Sequence, residues 1–429
     1  MNWPNYEVAV GDELALYAGP ARVNGRPVTA RVWFPLASTD LRLRWEATGG
    51  ADLDLHITDQ GGVTQQAALE IDHPHIGSFR VDATVNEATT SIAGSASTTT
   101  GFGTVDSEVL GDRAGSAQLV SCGWLNLPSL AATPSGSSEY PTVLSACGWN
   151  LALRPIEPFT ERVREFRRRG HPVYVSHHGE LTRADGHAFS AEDALETLHA
   201  FQLALSFVLG RFVAPLAPAG ERHGEVAWVL APAWFCDEGV ANDGIIWPLD
   251  PEDLTGAVAR IVAGLLDGAD ASHHLRHVLM HAVGCHRVGF AEQRLLTAQA
   301  GLEFFHNWQG GAGIGGAATR ISGLLQAAGI STELPPDFDA LTQLCSDPDI
   351  ERRPSQTGPD AVVWVRNEVT HPKDPRRLYD IDRLVYEASA LAREYLELLI
   401  LHRLDYRGYW RKLYRPGAWA FERERVPWA

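Results

Sequence analysis

Arg366, Asn367 and His371 lie close together in VRNEVTHPKD (365–374). A histidine can carry a proton either way near neutral pH. An arginine guanidinium is a permanent planar cation that matches phosphate oxygens. An asparagine amide can orient one or the other. This combination suits proton transfer beside a phosphodiester whose developing charge needs a fixed cation. RNA contains its own nucleophile, the ribose 2′-OH, so such a site needs no metal; DNA lacks that hydroxyl and should resist. The same three residues also suit a solvated helix end.

Spacing places two of them on one face. Asn367 and His371 are i and i+4, one helical turn apart, and Arg366 occupies the adjacent strip. Pro372 disfavours the helical conformation at His371, so the helix is expected to end there, with the imidazole at the surface. Spacing alone does not choose the site, because Arg276 and His281 repeat the R-x4-H pattern. That second pair lacks the following proline and the asparagine.

Two other patterns could do chemistry. GAGIGG (311–316) fits G-x-G-x-x-G and precedes a helical stretch, with Glu333 further on. A dinucleotide fold would require a strand before the glycines, and LEFFHNWQG has helical character. A flexible linker between helices is the alternative. His273, His277, His281 and Cys285 recur every fourth residue, so adjacent members can meet on a helix. They could hold zinc only with ligands from elsewhere; hydrogen-bonded helix histidines are the other reading. Neither Lys373 nor Lys412, the only lysines, follows a glycine, so there is no Walker A loop. No G-x-S-x-G or H-E-x-x-H pattern occurs.

The elements that must position these residues fall into two regions. Residues 1–187 read as a β-rich domain, with period-two alternation in LRLRWEA (41–47), ADLDLHIT (51–58) and FRVDATV (79–85). Residues 88–107, rich in Ser, Thr, Ala and Gly, read as a polar loop or edge hairpin. SCGWLNL (121–127) and ACGWNLAL (146–153) echo one another and predict neighbouring strands, each with its Trp in a sandwich core. From Ser190 the period becomes helical. Ser190 and Asp193 form a capping box; Asp250 and Pro251 open a second helix that stops at Gly268. Further helices are expected near 271–285, 290–308, 317–328, 335–345, 359–371 and 379–403, the last an amphipathic helix docking on the motif helix. The expected fold is α+β: an antiparallel β-sandwich-like domain over 1–187, then an all-α domain over 188–429, helical to its end apart from one short extended piece, EVAWVLAPAWF.

Bulk properties narrow the function classes. The 429 residues suit two or three domains. The net charge of −17 argues against non-specific coating of nucleic acid. Charge is uneven: residues 361–429 hold 13 Lys+Arg and 10 Asp+Glu, hence +3, whereas the remainder totals −20. The C-terminal end is therefore the polyanion-facing candidate, with Lys373, Arg376, Arg377, Arg407 and Arg411 as substrate-binding cations. DYRGYWRKLYRPG mixes basic and aromatic residues, which suits a nucleic acid or an ordinary C-terminal cap. Five widely spaced cysteines without a CxxC suit reduced thiols. The N-terminus shows no signal-peptide pattern, and no apolar run approaches the roughly 18–20 residues that span a bilayer. The expected location is the cytoplasm, with no membrane partner.

VVWVRNEVTHP resembles the signature of the HEPN superfamily, Arg, a polar residue and then His. GLEFFHNW (301–308), RISGLLQAAGI (320–330) and LYDIDRLVYEASALAREYLELLILHRLDYRGYW, in that order, resemble ApeA-type anti-phage HEPN proteins with a β-rich N-terminal domain. The resemblance covers about residues 290–429. It implies a helical bundle acting as a homodimer, with a composite cleft built from both protomers. It implies a metal-independent endoribonuclease, without cofactor, that leaves a 2′,3′-cyclic phosphate on tRNA or other cellular RNA. By the same resemblance His371 is general acid or base, Arg366 stabilises the charged transition state, and Asn367 orients His371 or the phosphate. An abortive-infection toxin awaiting a phage-derived trigger, with the β-rich domain sensing or regulating, is the implied role. Two other readings stand beside it: a non-catalytic HEPN dimerisation or ligand-sensing module, and a nucleotide-binding enzyme built on the loop 311–316.

Overall fold

The structure, a computed structural model, describes residues 3–50, 53, 65–93, 96–130, 141–239, 244–268, 270–287, 289–311, 315–350, 352–372, 378–412 and 422–429. The chain divides into two compact units, one formed by 1–202 with 213–241, the other by 203–212 with 242–429.

The first unit begins with β1 (Leu14–Val23), β2 (Arg26–Phe34), β3 (Arg44–Gly50), β4 (Gln65–His73), β5 (Gly77–Ala93) and β6 (Ala96–Val105). They close into an antiparallel barrel in the order β1-β2-β3-β6-β5-β4. Alternation decides which side chains point inward. Leu41, Leu43, Trp45 and Ala47 are all fully buried, and so are Val81, Ala83 and Val85 on β5, while the residues between them face out. The strand expected over 51–58 lies, except for Leu53, outside the described residues. The Ser/Thr-rich stretch is a hairpin, as one of its two readings held; its β6 arm pairs with both β5 and β3, whereas the β5 arm beyond Val85 pairs with β6 among the described residues. Gly103 permits this closure. A Cβ there would lie 1.7 Å from the Thr84 carbonyl oxygen and 2.6 Å from Trp45 Nε1. Gly103→Ala is expected to cost about 1–3 kcal/mol of stability by overpacking, read as a lower denaturation midpoint.

A separate seven-stranded antiparallel sheet completes the unit. Its elements are β7 (Val109–Gly111), β8 (Leu119–Leu125), β9 (Thr142–Ala146), β10 (Trp149–Pro155), β11 (Val175–Arg183), β12 (Ala214–Arg222) and β13 (Glu225–Leu230). The order is β7-β13-β12-β8-β11-β10-β9. The β-rich region is therefore a barrel plus a sheet, where sequence reading expected a single sandwich-like domain. The two Cys-Gly-Trp segments are not neighbours either, because β11 runs between β8 and β10. Their environments differ. Cys122-Gly123-Trp124 lies within β8, whereas Cys147 and Gly148 form the two-residue turn joining β9 to β10, with φ of 49° and 76°. Positive φ at both positions is what a type I′ hairpin demands. Both tryptophans are buried, as expected.

α1 (Phe159–Arg169) precedes β11, and α2 (Ala191–Leu209) follows it. The capping box forms: Ser190 Oγ accepts from the Asp193 amide at 3.1 Å, and Asp193 accepts from the Ser190 amide at 3.1 Å. The boundary expected at 187/188 shifts because β12 and β13 return to the sheet after α2.

His177 on β11 carries a measurable consequence. It is 1 % exposed, its Nδ1 lies 3.1 Å from Ser176 Oγ, and the Phe159 ring packs edge-on against it. Burial pulls its pKa down to about 3. The unfolded chain takes up this proton near pH 6.5 while the folded chain refuses it until about pH 3, so stability falls as pH drops through that window. Relative to His177→Gln, the wild type is expected to lose about 1 kcal/mol more per pH unit between pH 6 and 4 in urea titrations. Parallel profiles would refute this.

The second unit contains α3 (Pro251–Leu266), α4 (Asp270–Arg287), α5 (Ala291–Trp308), α6 (Ala317–Ala327), α7 (Asp339–Ser346), α8 (Gly358–Thr370) and α9 (Leu384–Arg403). Asp250 caps α3 by accepting from the amides of Glu252 and Asp253, with Pro251 in the first turn. α9 contacts α4, α5, α6, α7 and α8. It is not amphipathic in the folded chain: from Leu384 to Leu401 every residue except Tyr386 is buried, including Glu387, Arg393, Glu394 and Glu397. The unit does not stay helical to its end, since β14 (Tyr409–Arg411) pairs antiparallel with β15 (Arg423–Arg425). The overall class is α+β. Among the described residues no helix is long and apolar enough to cross a membrane.

Candidate functional site

α8 presents the motif at its C-terminal end. Val362 and Val365 anchor the helix in the interior, leaving Asn367 exposed and Arg366 half-buried. The helix stops at Thr370 and His371 is its C-cap, with φ −137° and ψ 57°; its amide donates to the Asn367 carbonyl at 2.8 Å. Pro372 explains the stop. His371 is exposed, as the spacing predicted.

Arg366 joins this cluster to α5. Its Nη1 donates to Asn367 Oδ1 at 3.1 Å, and its Nη2 to Glu303 Oε1 at 3.4 Å. Glu303 also accepts from Gln299 Nε2 at 3.3 Å. The Arg366 and Glu303 side chains are 29 % and 36 % exposed, so water screens the ion pair and it is worth at most about 1 kcal/mol. Glu303 was invisible to sequence reading because it lies 63 residues away and no local pattern links the two. The arrangement offers an exposed histidine one turn from an amide that a guanidinium bonds, with a carboxylate partly neutralising that cation.

The substrate-binding cations fare differently. Lys373, Arg376 and Arg377 lie outside the described residues. Arg407 is exposed and pairs with Asp405 at 2.8 Å. Arg411 is 2 % exposed, donates to the Gly244 carbonyl and lies over the Trp247 ring. That corrects its expected role: a guanidinium held in the interior by a carbonyl and an indole cannot meet a nucleic-acid backbone. The described part of the C-terminal segment is a structural cap. Trp410 is buried, Tyr406 donates to Asp253 Oδ1 at 3.0 Å, and Trp428 Nε1 donates to the Tyr406 carbonyl at 2.7 Å.

The histidine stripe runs along α4. His277 and His281 approach within 3.3 Å through their Nε2 atoms, and His277 packs on Phe304 of α5. Cys285 is buried beside the Ala282 carbonyl, and burial pushes its thiol up to about 12. A thiol so disfavoured as an anion is a poor ligand. Among the described residues no three His, Cys, Asp or Glu side chains form a group able to hold a metal ion. Arg276 and His281, the second R-x4-H pair, lie within α4 rather than at its end. The glycine loop has only Gly311, Gly315 and Gly316 among the described residues, and the element before it is α5, a helix rather than the strand a dinucleotide fold requires.

Sequence reading also missed a buried polar pair. His286 Nε2 on α4 lies 2.5 Å from Glu397 Oε1 on α9, with side-chain exposures of 4 % and 1 %. Burial in the interior places this pair with the framework of the unit rather than with a solvent-facing site.

No curated protein and no solved structure matches the chain. Two family models do. Residues 113–240, which contain β8 to β13 with α1 and α2, match the YopA central domain. Residues 314–424, which contain α6 to α9 and all three motif residues, match the YopA C-terminal domain, so the chain is similar to YopA proteins over both stretches.

Proposed function

We propose that the protein is a metal-independent endoribonuclease of HEPN type, with Arg366, Asn367 and His371 as its site. The observation that carries the reading is the cluster at the end of α8: an exposed imidazole at the helix cap, and a guanidinium hydrogen-bonded to the neighbouring amide. His371 moves the proton of the ribose 2′-OH or of the leaving 5′-oxygen. Arg366 stabilises the charge that develops on the phosphate, and Asn367 holds Arg366 in place. The substrate is cellular RNA such as tRNA, and the functional state is a cytoplasmic homodimer in which two helical bundles share one cleft. The β-rich region then senses a phage-derived trigger.

The test is RNA cleavage in EDTA by wild type, His371→Ala and His281→Ala, alongside growth of cells overexpressing each. Cleavage with cyclic-phosphate ends, or toxicity, lost only in His371→Ala supports the reading. Loss only in His281→Ala, or wild-type behaviour of His371→Ala, overturns it.

The Arg366–Glu303 bond favours a second reading, a non-catalytic dimerisation module, because an arginine engaged by a carboxylate can serve as a structural tie. On that reading His371→Ala is silent in cleavage, toxicity and sedimentation runs, and Arg366→Ala lowers the denaturation midpoint.

A further inference from the structure

A cavity of about 550 Å³ opens between α5, α6 and α9. Its lining has an unusual charge balance for a chain of net charge −17. Arg320, Arg403, His306 and His402 contribute to the wall, and among the described residues no Asp or Glu does. The rest is largely apolar, with Phe305, Leu324 and Leu399. Thr319 adds a hydroxyl.

Two of the polar groups are held in place without an acceptor or donor of their own. His306 is 7 % exposed, and its Nδ1 has no hydrogen-bond partner among the described residues. Gly311 makes room for this ring: a Cβ there would fall 2.1 Å from Nδ1. Arg320 Nε is likewise buried without a partner among the described residues. A buried polar nitrogen left in this state carries the full cost of desolvation, which a bound acceptor relieves. Arg403 lies over the Trp308 ring, with Cζ 5.1 Å from its centroid. An apolar enclosure of this size with a few convergent polar groups is the usual form of a small-molecule site.

We propose that this cavity binds a phosphate monoester with an apolar body. The arginines and histidines meet the anion, with Arg320 as its bidentate partner. Phe305, Leu324 and Leu399 cover the body. Among the described residues of the lining there is no carboxylate, which removes the repulsion an anion would meet elsewhere on an acidic protein. The proposal uses none of Arg366, Asn367 and His371 and stands apart from the ribonuclease reading.

The test is calorimetry on the full-length protein with phenyl phosphate, inorganic phosphate and phenol as probes. Phenyl phosphate is expected to bind at one site per chain, at least tenfold tighter than either fragment. Two variants probe the cavity. Arg320→Gln removes the cation. Gly323→Leu narrows the cavity from a position where a Cβ meets nothing within 4 Å, so folding is retained, as a thermal melt checks. Each is expected to weaken phenyl phosphate at least tenfold. Absence of phenyl phosphate binding to the wild type at 10 mM (about the weakest affinity of interest) overturns the proposal. So does equal binding by wild type and the folded Gly323→Leu variant.

Discussion

His371→Ala is expected to slow RNA cleavage by about 10²- to 10⁴-fold, the usual contribution of a positioned proton carrier. Because α8 stops at Thr370, His371 is its exposed C-cap, open to a phosphodiester from solvent. Arg366→Ala is expected to lose about 10²- to 10³-fold, as removal of a group that meets developing charge does. The informative variant is Glu303→Gln. In the folded chain Glu303 accepts a hydrogen bond from Arg366 at 3.4 Å and competes with any phosphate for that cation. Neutralising it keeps the shape and releases the charge, so cleavage should rise by up to about fivefold, the equivalent of a screened ion pair. A structural tie predicts the reverse: Glu303→Gln would lower the denaturation midpoint and leave cleavage unchanged. Initial rates on labelled tRNA in EDTA, with urea titrations of the same samples, separate the two.

Much of the framework was legible because it is written in local signals. The Ser190–Asp193 box, the Asp250–Pro251 start and the Pro372 stop each act within one helical turn, and each forms where expected. The Leu41–Ala47 and Val81–Val85 alternations mark inward faces of the barrel for the same reason. β12 escaped notice because APLAPAGER is buried at seven successive positions and has no period-two pattern to read. It also contains prolines, which argue against a central strand. The strand accommodates Pro218 through an irregularity against β8 between Leu216 and Ala219, where Ala217 takes φ 46°. Position in the echo was illegible too: Cys-Gly reads identically in a strand and in a hairpin turn until φ is known. At the candidate site, Asn367 and His371 were visible as an i, i+4 pair, whereas Glu303 was not. Long-range pairing leaves no spacing to count. The charged residues of α9 misled for a related reason. Glu, Arg and Glu at helical intervals ordinarily mean a solvated face, and only the fold shows that they are interior.

That interior charge leads to the largest expected loss of stability. Glu397→Ala should destabilise the protein by about 3 kcal/mol, the combined cost of removing a buried hydrogen-bond partner and opening a cavity. Glu397 is fully buried, 2.5 Å from His286 on α4, and Arg393 lies one turn earlier on the same helix, 5 % exposed. Both Arg393 and Glu397 act on the buried Cys285 thiol, the arginine lowering its pKa and the glutamate raising it, so the two charges share one low-dielectric neighbourhood. Taking out the carboxylate removes the partner of His286 Nε2, and the methyl group that replaces it opens a cavity between α4 and α9. Removing both polar partners is a different experiment. A His286→Leu/Glu397→Leu double variant fills the space and removes both ends of this bond, so it should recover part of the loss, as buried pairs replaced by apolar residues often do. Urea midpoints of wild type, the two single leucine variants and the double variant form a cycle that reads this coupling. If the leucine singles sum to the double, or if Glu397→Ala stays within about 1 kcal/mol of wild type, the pair does not hold α4 to α9 in the way its burial implies.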